Sequence, residues 1–331
     1  MLASVTRALT PIAVLAAVLA LLLPSRPVGN HSDILLAALV LFTALGISIE
    51  ELKGLRSHGR TIALLSVVPI PLLGGLSWAL GRPFTTSIQH GLLGCGLSSA
   101  EVASVGLVAL AGADATIAVG VVTGSLIASA VIGPLLLGGD PAALLGRFAL
   151  VVLLPLCIGV AIRSTNARTW LAAHDDGRDG LASLAVAALV YAALSGATHL
   201  LSALPAAAAF LAISTLLAAV WSRLAGATGP QASGTVTTPG AFTIAMRDFA
   251  VAATLATQAY GAAAGTVPGV YGVLMLIGGS AAATVLRQRS TTVRRTEPTT
   301  ATISSNAANS NTQTVMSRSR LMLESLKPNS W

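Results

Sequence analysis

Long apolar runs alternate with short polar breaks along this chain. The runs cover about Leu9–Leu23, Asp33–Ile49, Thr61–Leu80, Ser87–Ala111, Asp114–Leu137, Arg147–Ile162, Gly180–Thr198, Leu204–Trp221, Thr235–Tyr260 and Val267–Leu286. About 20 apolar residues carry an α-helix across the hydrocarbon core of a bilayer. The pattern therefore predicts an all-α polytopic membrane protein with ten transmembrane helices over residues 1–286. The first run looks like a signal peptide, but it ends in Pro24-Ser25-Arg26-Pro27 with no small-x-small cleavage site, so it is read as a span. Polar turns separate the runs: Glu50-Glu51-Leu52-Lys53-Gly54-Leu55-Arg56 after the second, Gly138-Gly139-Asp140-Pro141 at the midpoint, and a loop with His174, Asp175, Asp176, Arg178 and Asp179 before the seventh. From Arg287 to Trp331 the chain is rich in Ser, Thr and Asn, which predicts a disordered tail rather than a packed unit. Ser317–Leu326 is the weaker alternative there, a short basic helix on the membrane surface.

Two runs are not uniformly apolar. The fourth contains Ser98-Ser99-Ala100-Glu101-Val102-Ala103-Ser104, and the ninth contains Thr237–Ala253, with Pro239-Gly240 followed by Arg247-Asp248. An ionisable side chain at membrane depth is costly unless it is paired or lines a wet cavity. A helix break at that depth is tolerated only where the freed backbone is buried in protein or lines such a cavity. Pro239-Gly240 is expected to interrupt the ninth span. Span two starts at Asp33 and span seven near Gly180, about 147 residues later, and the same offset sets span four against span nine. Five spans per half is an odd number, so the halves would be inverted repeats, each with one broken crossover helix (spans 4 and 9), a signature of secondary transporters.

The candidate substrate- and ion-binding residues are Ser98, Ser99, Glu101, Ser104, Thr243, Arg247 and Asp248, with Asp114 and Thr123 as weaker ones. Thr116 and Ser125 lie near these last two, and Asp114 suits a helix N-cap as well as an ion ligand. Adjacent helical residues do not face one another, so Arg247 or Asp248 is expected to pair across helices. If the two breaks cross, Glu101, Arg247 and Asp248 share one low-dielectric site of net charge −1, suited to one Na⁺ or one proton. Arg247 could instead hold a substrate carboxylate, or the three charges could be a purely structural cluster.

The composition agrees with a membrane location: 54% of residues are hydrophobic, 9% are charged, and mean hydropathy is +0.81. Of nineteen Lys and Arg, fifteen fall on the side that holds both termini when ten spans are drawn, and three on the other. That bias predicts cytoplasmic termini. The net charge of +7 is scattered through loops and tail, so no nucleic-acid partner is expected. Cys95 and Cys157 lie in apolar runs, which argues against a disulfide, and the five His residues lack metal-ligand spacing. No H-E-x-x-H or G-x-S-x-G occurs, so no enzyme activity or cofactor is expected beyond a coupling ion. His90 and His199 near span ends, and Trp78, Trp170 and Trp221, fit interfacial positions.

Three stretches resemble the bile acid:sodium symporter superfamily: TALGISIEELKGLRSHGR at the exit of span two, Pro155-x-x-x-Gly159-x-x-x-Arg163 in span six, and Ser98–Ser104 followed by Ala111-Gly112-Ala113-Asp114. Thr243-Ile244-Ala245-Met246-Arg247-Asp248 falls where that family has an acidic residue and then Gly-Met-Gln-Asn. The resemblance covers about Leu9–Leu286 and implies a panel domain (spans 1, 2, 6 and 7) and a core domain (spans 3–5 and 8–10). It further implies alternating-access transport of a small organic anion, a carboxylate or a bile-acid-like amphiphile, across a bacterial inner membrane. Thr243 stands at the family's sodium-binding glutamate, Arg247-Asp248 at its Gln-Asn, and Ser104-Val105 at its Ser-Asn. Sodium symport, proton coupling, uniport and efflux therefore all stay open, as does a receptor or scaffold that keeps the fold without transporting.

Overall fold

The computed structural model describes residues 2–23, 25, 31–47, 58–111, 113, 115–137, 141–165, 168–195, 197, 200–227 and 237–296. These residues form helices α1 (Leu2–Leu22), α2 (Ser32–Ala44), α3 (Gly59–Val67), α4 (Pro69–Gly81), α5 (Thr86–Leu97), α6 (Ala103–Leu110), α7 (Ala115–Leu137), α8 (Pro141–Phe148), α9 (Leu154–Arg163), α10 (Arg168–Ala173), α11 (Asp175–Leu194), α12 (Leu200–Ala227), α13 (Thr237–Ala245), α14 (Phe249–Tyr260) and α15 (Thr266–Thr296). No strand occurs among them. Gly59–Gly81, Ala115–Leu137, Ala142–Arg163, Leu200–Leu224 and Ala262–Gln288 are long and apolar enough to cross a bilayer, and Pro11–Leu22, Ser32–Ala44 and Gly180–Leu194 are shorter apolar helices. Many large apolar side chains point outward, Leu201 at 86% and Leu22 at 70% exposure among them. Apolar surface on that scale belongs in lipid, and the protein is a helical, membrane-embedded one.

Prolines shape the helices through the N–H they lack and the ring they carry. Pro69 removes a donor, so α3 and α4 meet with a hitch at Val68, where the Leu72 N–H reaches the Val68 carbonyl at a long 3.4 Å. Pro155 follows a π-helical turn over Ala149–Leu153, which joins α8 to α9. Widening the turn before a proline keeps its ring clear of the carbonyl four residues back.

Several sequence boundaries move. The polar loop expected before span seven is in large part the first turns of α11, with His174 at its N-cap. The tail expected to be disordered from residue 287 is instead helical to Thr296, because extending an existing helix through Leu-Arg-Gln-Arg needs no new nucleus. Gly138–Asp140, the turn at 50–56, His199, Ser317–Leu326 and the rest of the tail lie outside the described residues. The chain divides into two compact units, Met1–Val285 and Leu286–Trp331.

Within the first unit, α1 packs on α11, α11 on α2, and α2 on α9. The α2–α9 contact is close, since a Cβ on Gly159 would lie 2.5 Å from that of Ala44. A second set packs α4 on α5, α5 on α14, α3 on α7, and α12 on α13. Here α5 is wedged between two neighbours. A Cβ on Gly96 would meet the Ser77 hydroxyl at 2.4 Å and the Leu73 carbonyl at 2.5 Å, and one on Gly94 would meet the Ala252 carbonyl at 2.8 Å. Only glycine lets the backbones approach so nearly.

Candidate functional site

Two interrupted helices cross within the first unit. Between α5 and α6 the chain unwinds over Ser98–Val102, and between α13 and α14 over Met246–Asp248. The two stretches pair antiparallel at Ala100 and Arg247. The Glu101 N–H donates to the Met246 carbonyl and the Asp248 N–H to the Ser99 carbonyl, each at 2.8 Å. The first break is the sequence-predicted one. The second is not: Pro239-Gly240 lies within α13, which runs unbroken to Ala245, and the interruption is at Arg247-Asp248 themselves. What ends α13 is the pairing of Met246–Asp248 with Ser99–Glu101, not the proline.

Several of the backbone groups freed by the breaks find buried partners, the arrangement that makes a helix break tolerable in a protein of this class. Ser129 donates to the Leu97 carbonyl at 2.7 Å, and the Ser98 hydroxyl to the Cys95 carbonyl at 2.9 Å. The Ala100 N–H donates to the Ser125 hydroxyl at 2.9 Å, which in turn donates to the Val122 carbonyl. On the other strand, the Tyr271 hydroxyl accepts from the Arg247 N–H at 2.9 Å and donates to the Ala245 carbonyl at 2.8 Å. Ser214 also donates to Ala245, at 3.3 Å. Asp248 is the N-cap of α14, its Oδ1 accepting from the Ala250 and Val251 N–H groups at 2.9 and 3.0 Å.

Glu101, Arg247 and Asp248 are 1, 1 and 2% exposed. Glu101 sits where α6 and α14 both begin. Its Oε1 accepts from the Ala103 N–H at 3.4 Å, and the N–H groups of Phe249 and Val102 are directed at the same carboxylate. Two helix N-termini thus bear on one negative charge, which favours it. Its Oε2 has no hydrogen-bond partner. Asp248 lies within Coulombic reach of Glu101, and the Ser99 hydroxyl faces the Asp248 carboxylate. Arg247 lies toward Tyr271, Asp248 and Cys95, with Nε and Nη2 unpartnered. Among the described residues, no ion pair within 4.0 Å joins Arg247 to either carboxylate. Mutual neutralisation by salt bridges is therefore not how the cluster is built.

The remaining sequence candidates separate. Ser104 is fully buried beside the first break, with its hydroxyl unpartnered and its N–H on the Glu101 carbonyl. Thr243 is spent on its own helix, donating to the Pro239 carbonyl at 2.9 Å. Thr123 lines a narrow cleft with Asp248. Asp114 lies outside the described residues. The sequence reading missed Tyr271, Ser129 and Ser214. A lone tyrosine in an apolar run, and serines spaced Ser125-x-x-x-Ser129 on one helix face, were the available signals.

Two cavities open at opposite ends of α2 and α11. One, of about 240 Å³, reaches Glu101 and is walled by the C-terminal end of α2, the N-terminal part of α11, and α6. The other, of about 700 Å³, is lined by Asp33 at the start of α2, Ser195 just past the end of α11, and Thr254, Thr257 and Gln258 of α14. A polar latch lies along this second cavity: Arg147 of α8 makes an ion pair with Asp33, its Nε donating at 2.9 Å, and the Gln258 amide donates to the other Asp33 oxygen at 3.0 Å. Tyr260 hydrogen-bonds the Leu137 carbonyl and stacks on His90, their ring centroids 3.6 Å apart.

No protein-family model matches the chain, and no curated protein does.

Proposed function

We propose that this protein is a secondary transporter that carries a small organic anion, a carboxylate-bearing solute, by alternating access. The observation that carries this reading is the antiparallel crossing of two interrupted helices that buries Glu101, Arg247 and Asp248 between two cavities. Interrupted helices meeting at membrane depth are the usual site of solute and ion binding in such carriers. The paired residues Ala100 and Arg247 are 147 apart in sequence, the same offset as Asp33 and Gly180. That agreement supports two inverted five-span repeats, in which Glu101 and Asp248 are equivalent positions. Ten spans then follow from the five long apolar helices, the three shorter ones and the two interrupted pairs. Both termini would be cytoplasmic, in a bacterial inner membrane.

On this reading α1, α2, α9 and α11 form a panel and the remaining spans of the first unit a core. Transport shifts the core against the panel, so that the crossing meets one cavity and then the other. The architecture and the three resembling stretches favour a divergent member of the bile acid:sodium symporter superfamily. Thr243, back-bonded to its own helix, is no substitute for that family's sodium glutamate. Glu101 and Asp248 are the groups that remain to hold a coupling proton or Na⁺.

The test is uptake by the purified protein in liposomes, with a panel of carboxylates, with and without a Na⁺ gradient and a pH gradient. Uptake driven by either gradient, and abolished by Glu101→Gln, is the expected result. A folded protein that moves no solute under any gradient sinks the proposal in favour of a receptor or scaffold.

A further inference from the structure

The larger of the two cavities is built for hydrogen bonding rather than for charge. Ala250, Ala253, Thr254, Thr257 and Gln258 reach it from one face of α14, as their spacing of three and four residues requires. Leu189, Ala192 and Ala193 of α11 add an apolar wall. Three side-chain oxygens on this lining have no hydrogen-bond partner: the hydroxyls of Ser195 and Thr254, and Oε1 of Gln258. Ser195 and Thr254 are 8 and 1% exposed. A threonine inside a helix can satisfy itself on the carbonyl four residues back, as Thr257 does on Ala253 at 2.8 Å. Thr254, one residue round the same face, does not. A buried hydroxyl without a partner is costly and asks for a reason. Charge in the cavity is already settled. Among the described lining residues the ionic side chains are Asp33 and Arg147, which pair with one another while the Gln258 amide donates to Asp33.

We infer that this cavity binds the hydroxyl-bearing part of the solute, so that the solute is a polyhydroxylated carboxylate, a sugar acid. The inference rests on the carrier reading above, which supplies the carboxylate, and narrows the class of anion. A polyol chain matches both surfaces. Its hydroxyls donate to Gln258 Oε1 and exchange bonds in either direction with Ser195 and Thr254. Its C–H edges lie on the alanines. A plain alkanoate would leave the three oxygens buried and unmet, and a second charged group on the solute would find no free counter-charge here. At ~30 Å³ per water, about 700 Å³ holds on the order of twenty non-hydrogen atoms, so a six-carbon chain enters with room to spare.

The test uses the full-length protein in detergent, in glycerol-free sodium buffer and again in potassium buffer, with calorimetric affinities. The probes are gluconate, galactonate and ribonate, against hexanoate, which lacks the hydroxyls, and glucitol, which lacks the carboxylate. The best of the three sugar acids is expected to bind roughly tenfold to a thousandfold tighter than hexanoate, the range for three net hydrogen bonds. Thr254→Val and Ser195→Ala each remove one hydroxyl with little change of shape. Each should weaken that sugar acid about threefold to tenfold and narrow its margin over hexanoate. Neither hydroxyl has a partner within the protein, so the melting temperature without ligand should not fall in either variant.

Hexanoate binding as tightly as the best sugar acid overturns the inference, as does failure of all three sugar acids to bind in both buffers. A lower melting temperature with sugar-acid affinity retained in both variants also overturns it, since the hydroxyls would then serve the fold. The wild-type panel decides even if a variant does not fold. Glucitol matching the best sugar acid would overturn the anion class proposed above and leave hydroxyl recognition standing. A sugar acid that binds tightly but enters liposomes under no gradient would overturn the carrier reading alone. Uptake of hexanoate with no preference for sugar acids would overturn this inference alone.

Discussion

Tyr271→Phe isolates what holds the second break open. The ring stays, so its edge contact with Phe210, at 5.4 Å between centroids, and the filled volume are retained. Only the hydroxyl goes, and with it the bonds at 2.9 Å from the Arg247 N–H and 2.8 Å to the Ala245 carbonyl. The carbonyl keeps Ser214 as a donor at 3.3 Å. The N–H keeps nothing. An orphaned buried donor costs about 1–3 kcal/mol and each net hydrogen bond is worth about 1 kcal/mol, so the loss should be about 2 kcal/mol. That exceeds the average of about 0.6 kcal/mol for an interhelical hydrogen bond in a membrane protein, where broken partners usually find others. Here the alternative partner for the Arg247 N–H lies one turn back along a continuous helix, and taking it would destroy the crossing. Reversible unfolding in mixed detergent–SDS micelles measures the loss. Ser214→Ala removes a hydroxyl shared between the Leu211 carbonyl, at 3.0 Å, and the Ala245 carbonyl, at 3.3 Å, and leaves no donor orphaned, so it serves as the mild comparison at about 0.5–1 kcal/mol. A Tyr271→Phe protein within 0.5 kcal/mol of wild type, with solute binding intact, would refute the account of the break as a hydrogen-bonded assembly.

The Asp248 carboxylate can be separated into cap and charge: Asp248→Asn keeps an acceptor for the Ala250 and Val251 N–H groups and should lose transport with stability changed by less than about 0.5 kcal/mol, while Asp248→Ala should cost about 1–2 kcal/mol in the same unfolding assay. Gly96→Ala places a Cβ 2.4 Å from Ser77 and should destabilise by about 1–3 kcal/mol, whereas Gly75→Ala on α4 meets nothing within 4 Å and should stabilise by about 0.5–1 kcal/mol. Asp33→Asn removes an ion pair whose members are 24 and 57% exposed, so stability should shift by no more than about 1 kcal/mol. The reaction rate of a cysteine at Thr257 with a membrane-impermeant maleimide should nevertheless rise as the latch opens, and an unchanged rate would mean the latch closes nothing.

Much of this arrangement was legible from the chain because bilayer physics leaves few solutions. Apolar runs of helical length had to be helices, and Glu101, Arg247 and Asp248 were too costly in lipid to be anywhere but inside. That Ser98–Ser104 and Arg247-Asp248 would meet followed from pairing the halves. The position of the second break did not follow. Pro239-Gly240 is the stronger local breaker by composition, yet it lies within α13 and does not interrupt it. The true break is set by tertiary partners, the Ser99 carbonyl, Tyr271 and the Asp248 cap, and no local propensity encodes those. Arg178 was lost for a related reason. It reads as one charge among several in a polar loop, and only the fold brings it to the wall of the smaller cavity, against Gly46 just past the end of α2.

The direction in which the three central charges face matters more than their sum. As a sequence they total −1, and an arginine among them invites the reading that it holds an anion. In the fold Arg247 lies toward Tyr271, Asp248 and Cys95 and lines neither cleft, while Glu101 and Asp248 line the clefts beside α2. On the transport reading, a solute approaching from that side meets Glu101 and Asp248 rather than the Arg247 guanidinium. The buried arginine then acts as a fixed counter-charge behind the crossing, offsetting two carboxylates that would otherwise repel one another in a water-poor site. Arg247→Gln should accordingly not weaken binding of a cationic probe, since a positive charge is removed from behind the site, yet should destabilise the protein by about 3 kcal/mol or more by leaving the carboxylates uncompensated. Adding Glu101→Gln to that variant should restore part of the loss. If the double variant is instead less stable than Arg247→Gln alone, the counter-charge role is wrong and Arg247 must be held by contacts of its own.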